Sequence, residues 1–287
     1  MRHSPLTNRF AEAGLKLELT SGPIAGSMNG DIVQIDIQRK VKTNIRSEYF
    51  RIWGGHQDNR IEVLGIDRQL CQLILMVHEP TRVFTVEIRK SRINTKQPEG
   101  KLLRETKTHW IFEQKTSNRK RHFLCGVDER QLFLCQLLKA CSTVRDAHAS
   151  LKSPTVVTAE GRHQRTTRQG EWFFLMPTDE ELAAIEESIK TNKLKVERKC
   201  PIGPMTAGPP RGNKVRQGAG NPHTADELVV LPGTPLKHGW AVRAREVFVR
   251  GKVRHVDHAT VSFGTWRKVI RNAEANEGRM DGVSWID

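Results

Sequence analysis

Apolar and polar residues alternate with a period of two along much of this chain. Val33, Ile35 and Ile37 interleave with Gln34 and Asp36, the mark of a half-buried strand. Shorter runs of the same kind lie at 48–53, 83–88 and 110–112. Ile61–Leu64 with Leu73–Val77, and Phe123–Cys125 with Leu132–Leu137, read as strand pairs across polar turns. At 168–177 a polar turn feeds the aromatic run Trp172-Phe173-Phe174-Leu175, and Leu228–Leu231 restarts strand character. In the stretch 246–272, Val247, Val249, Gly251 and Val253 fall on one face of a strand and Phe248, Arg250, Lys252 and Arg254 on the other. A return run at Ala259–Phe263 makes this a C-terminal β-hairpin.

Two segments switch to helical spacing. Near 143–152, Thr143 and Asp146 suit a helix start, and Val144, Ala147 and Leu151 share a face up to a stop at Pro154. Near 178–190, Thr178 and Glu181 form a capping box, acids fill the first turn, and Leu182, Ile185 and Ile189 make the apolar stripe. Residues 1–30 carry no strong period and read as a loosely ordered arm. Many strands and two short helices, without βαβ alternation, predict a strand-dominated α+β fold and exclude a doubly wound, Rossmann-type sheet.

The 287 residues are enough for two modules. The pattern divides them near residue 155, into a β-rich part at 1–155 and a second β-rich part at 156–287. The alternative is one continuous domain with an insertion. The segment 188–225 is rich in Lys, Arg, Pro and Gly, cannot bury much apolar surface, and reads as a long basic loop.

Charge then changes the picture. Lys and Arg outnumber Asp and Glu 47 to 32, a net charge of +15. Such an excess draws polyanions, so nucleic acid, DNA or RNA, is the expected partner class. The side chains of Arg250, Lys252 and Arg254 would repeat every roughly 6–7 Å along a strand, close to the phosphate spacing of a single strand. Arg267, Lys268 and Arg271 on the return run, and Lys214 and Arg216 in the loop, extend that basic surface. Phe248, Trp240 and Trp266 are nearby aromatics for base stacking. A protein partner that orders the basic loop is a further expectation.

A second chemistry centres on histidine. His255, Asp257 and His258 cluster at the hairpin turn, and His223 ends the basic loop. Imidazole suits both transition-metal ligation and acid–base work near neutrality. His223, His255 and His258 are therefore candidate catalytic residues with Glu171, and candidate ligands with Asp257 for a divalent metal. A hydrolase or nuclease, metal-dependent or using histidines with Lys252 or Arg254, is the alternative to a simple binding protein.

Other classes are excluded. No phosphate-binding G-x-x-x-x-G-K-[ST] loop, dinucleotide G-x-G-x-x-G or nucleophile elbow G-x-S-x-G is present. Five cysteines without C-x-x-C spacing argue against a disulfide framework or a structural zinc knot. No apolar run approaches membrane-spanning length, and the N-terminal residues lack a signal-peptide core, so a cytoplasmic protein is expected.

Overall fold

The computed structural model describes residues 5–24, 32–42, 45–90, 100–129, 131–202, 222–231 and 245–273. Strands dominate, with four short helices among these residues, and the class is α+β. The chain forms two compact units that meet in sequence between Leu124 and Cys125. Residue 155, where the pattern suggested a division, lies in a helix of the second unit.

The first unit opens with α1 (Pro5–Glu12) and β1 (Leu17–Thr20), so the expected N-terminal arm is in part regular structure. Its short length hides its period, but Phe10 is fully buried and packs edge-on against Phe50 at 5.5 Å. There follow β2 (Gln34–Lys42), β3 (Ile45–Trp53), β4 (Arg60–Asp67), β5 (Gln72–Glu79), β6 (Val83–Arg89), β7 (Lys101–Glu105), β8 (His109–Lys115) and the beginning of β9 (Arg119–Asp128). β1 pairs in parallel with β3, and β3 is antiparallel to β2. β4 and β5 form the expected hairpin, with β9 on the other side of β5. β8 lies between β6 and β7 in a third sheet. A buried ion pair, Arg121 to Glu79 at 2.8 Å, is completed by the Val33 amide, which donates to the same carboxylate oxygen. Breaking such a pair strands a buried charge, so both halves are structural.

The second unit takes the end of β9, then β10 (Gln131–Leu137), α2 (Val144–Ser150), α3 (Pro154–Gly161), β11 (Thr167–Gln169), β12 (Trp172–Leu175), α4 (Asp179–Lys190), β13 (Glu197–Pro201), β14 (Thr224–Leu231), β15 (Glu246–Arg254) and β16 (Val261–Arg271). Six of its strands form one antiparallel sheet in the order β11-β12-β16-β15-β14-β13. Both of its faces are covered, which explains the uninterrupted apolar run of β12. Trp172 and Phe174 join Val247, Val249, Val253, Phe263 and Val269 in one layer. Phe173 and Leu175 point the other way, onto Val156 and Ala159 of α3. On that second side α4 lays Ile185 against Val229, Phe248 and Trp266.

Two caps act as expected. Thr143 accepts from the Asp146 amide, and Thr178 and Glu181 complete both halves of a capping box. Pro154, read as a stop, does follow the end of α2, and it also begins α3 at its first position behind the N-cap Ser153. Proline is favoured there because its missing N–H is one the helix start leaves unpaired anyway. The basic loop is also shorter than its composition suggested. Its flanks are the end of α4, the edge strand β13 and the start of β14, while 203–221 lie outside the described residues. Edge pairing supplies β13 with order that its few apolar side chains do not. No helix among the described residues is long and apolar enough to cross a membrane.

Candidate metal centre

Three turns of the second unit meet at one point. His223 is the residue before β14, and its carbonyl accepts from the Ile202 amide at 2.7 Å. His255 and His258 occupy the turn between β15 and β16. Gly170 turns β11 into β12 with φ +56°, in the left-handed region that glycine enters without strain. Side chains tie these turns together. Gln169 Nε2 donates to the Ala259 carbonyl at 2.6 Å. From the turn between β9 and β10, Glu129 Oε2 accepts from the Ala259 amide at 2.6 Å, and Gln131 Nε2 donates to Asp257 Oδ1.

The result is a triangular cluster of three imidazoles. Ring centroids are 4.3 Å apart for His223–His255, 4.9 Å for His255–His258 and 5.4 Å for His223–His258. One ring nitrogen from each lies within 4.8 Å of one from each of the others. His223 is 3% exposed, and its Nε2 is buried without a hydrogen-bond partner. Burial, followed by the neighbouring His255 and His258, lowers its pKa from the usual 6.5 to about 3. His223 is therefore neutral at physiological pH and keeps a lone pair for a ligand.

A carboxylate stands near the Nδ1 side of two of the rings. Glu171 Oε1 is 3.8 Å from His223 Nδ1, and Glu129 Oε1 is 3.9 Å from His258 Nδ1. Both lie beyond hydrogen-bond reach, but a negative charge on that side favours the tautomer with its proton on Nδ1 and its lone pair on Nε2, the one used in carboxylate–histidine–metal sites. Both Nε2 atoms do turn toward one place: a Cβ on Gly170 would lie 2.8 Å from that of His258 and 3.3 Å from that of His223. His255 is held differently. The Asp257 amide donates to its Nδ1 at 3.1 Å, which leaves the neutral ring's proton on Nε2. Ligation through His255 Nε2 would require that proton to leave Nε2.

The donor set fits a borderline transition ion such as zinc. Zinc takes imidazole nitrogen at roughly 2.0–2.1 Å, which separates tetrahedral ligands by about 3.3 Å. Nitrogens that now lie within 4.8 Å of one another would draw closer to hold such an ion. Three histidines leave one coordination position for water or substrate, the pattern of catalytic rather than structural zinc. Asp257 lines the adjoining pocket but is engaged by Gln131 and lies outside the histidine cluster.

The expected basic surface looks different in three dimensions. Phe248 is fully buried beneath α4, and Trp266 is 2% exposed, so neither presents a face for stacking. Arg250 pairs with Glu227 at 2.6 Å and lies over the Trp266 ring. Arg254 pairs with Asp226 at 2.5 Å, and this guanidinium holds the Asp226 carboxyl below its usual range. Lys268 sits between Glu181 and Glu246; burial opposes its charge, but the two carboxylates outweigh that and raise its pKa. Arg267 lies over Phe263 and donates to Thr265, Arg271 is half-buried, and Lys252 is exposed. Lys214, Arg216 and Trp240 lie outside the described residues.

Sequence pattern did not single out Gly170, Glu129, Gln131 or Arg168 as parts of this site. Only Gly170 carried a signal, as a glycine in a polar turn before a buried strand. No family model, curated protein or solved structure matches the chain.

Proposed function

We propose that the protein is a metal-dependent hydrolase whose divalent ion is held by His223, His255 and His258. The observation that carries this reading is the convergence of three ring nitrogens within 4.8 Å, one of them buried, unpartnered and neutral. An isolated cluster of that kind leaves polar atoms desolvated without compensation, and a cation supplies the missing partner. A divalent ion held by these three histidines would supply Lewis acidity toward a bound water. Glu171 borders the same pocket and is the candidate acceptor for the water's proton. The test is metal content after purification and after reloading with Zn2+, Mn2+ or Co2+. One ion per chain, lost in a His255→Ala, His258→Ala double variant that keeps its fold, supports the reading. A wild-type protein that takes up none of the three overturns it.

A second reading, association with nucleic acid, is favoured by the net charge of +15. Three of the hairpin cations are neutralised by carboxylates, so binding would draw on other Lys and Arg residues. Oligonucleotide affinity that falls steeply with salt supports this reading, and salt-independent affinity counts against it.

A further inference from the structure

We infer that the ligand of this centre is a phosphoryl group, received jointly by the bound metal and the guanidinium of Arg168. This inference rests on the metal reading above.

Arg168 lines the same pocket as His255, His258 and Glu171. Its guanidinium is fixed rather than free to swing. Nε donates to the Gly170 carbonyl at 2.8 Å, one terminal nitrogen is 3.4 Å from His148 Nδ1, and the group lies 5.9 Å from the centre of the Phe173 ring. The residue that accepts from Arg168 is the one whose Cα faces the Nε2 atoms of His223 and His258. A single backbone turn therefore sets the guanidinium and the imidazoles in register. The second terminal nitrogen is 4.0 Å from Asp128 Oδ2, beyond hydrogen-bond reach, and the side chain is 30% exposed. Arg168 thus keeps N–H donors for an incoming ligand, and a planar fork matches tetrahedral oxyanions better than a point charge does.

Size and charge narrow the ligand. The pocket encloses about 70 Å3. One water needs roughly 10–15 Å3, so the space admits a group of a few heavy atoms, with any larger remainder left at the open mouth. The lining holds three carboxylates, Asp128, Glu171 and Asp257, against the one guanidinium. Without metal that formal excess of two negative charges repels an anion, and a divalent ion cancels it. Anion binding should therefore be conditional on metal, and by linkage the anion should tighten the metal in return.

The test uses full-length protein loaded with Co2+, whose visible bands report the coordination sphere, titrated with inorganic phosphate and, separately, acetate. Expected are saturable band shifts with phosphate, weaker effects with acetate, and no phosphate binding to the metal-free protein. Arg168→Lys should retain stoichiometric Co2+ and bind phosphate at least tenfold more weakly, because it keeps the charge but loses the fork. Asp128→Asn, which removes the carboxylate facing the guanidinium, should bind phosphate more tightly and serves if the Arg168 variant fails to fold. Failure to take up Co2+, Zn2+ and Mn2+ alike would sink the metal reading itself. Co2+ uptake with no phosphate response, with a response unchanged in Arg168→Lys (or, if that variant fails to fold, in Asp128→Asn), or with acetate binding as tightly as phosphate, overturns the phosphoryl inference alone.

Discussion

Gly170 lies directly against His258: a Cβ on the glycine would be 2.8 Å from the imidazole Nε2. The backbone of one turn thus forms the floor on which the histidine cluster rests. Gly170→Ala adds a methyl into that contact and places alanine at φ +56°. Stability should fall by about 1–3 kcal/mol. Metal affinity should fall with it, because two rings must move. Urea denaturation and a metal titration on the same variant check both effects.

The outer carboxylate on His258 can be tested alone. Glu129→Gln keeps an acceptor for the Ala259 amide but removes the charge 3.9 Å from His258 Nδ1. Metal affinity should drop by roughly 10–100-fold with little change in melting temperature. Competition with a chromophoric chelator measures the first and calorimetry the second.

Acid should weaken the metal-free protein through His223. Its folded pKa of about 3 lies below the usual 6.5. Between those values the unfolded chain binds more protons than the folded one, so stability rises with pH across the window. It is lost progressively as pH falls below about 6.5, with a slope of up to about 1.4 kcal/mol per pH unit from this group. His223→Gln should flatten that slope, as read from urea midpoints at several pH values.

Phe248 should behave as a core residue and not as a binding residue. It is fully buried between the sheet and α4. Phe248→Ala should cost about 3–5 kcal/mol. Exposed-surface variants such as Lys252→Ala should stay within ~0.5 kcal/mol. Denaturant unfolding of the two variants separates the cases.

Local signals were the legible ones. The capping box of Thr178 and Glu181, the β4–β5 pair and the buried run at Trp172–Leu175 all follow from spacing within a few residues. His255 and His258 were legible as neighbours in one turn, but their meeting with His223 depends on sheet order. What covers a strand was not legible. The period of β15 assigns Phe248 and Arg250 to one face, but it cannot say that α4 seals the first or that Glu227, on the neighbouring strand, neutralises the second. Pro154 was read only as an ending, when it also begins a helix. Glu129, Gln131 and Arg168 act through hydrogen bonds between distant turns, and such contacts leave no periodic trace.

The histidine cluster draws its parts from the turn at Glu129–Gln131, the turn at Arg168–Glu171, the approach to β14 and the last hairpin. No single hairpin holds all of them, and the imidazoles meet only once β14, β15 and β16 have paired. A cation in that place would work as a completion latch, absent from every partly assembled chain and gripping only the finished one. At a free concentration a thousandfold above its dissociation constant, it would deepen the native well by about 4 kcal/mol. Withholding the ion would then show up as a shorter lifetime of the folded protein, even under conditions where no substrate is turned over.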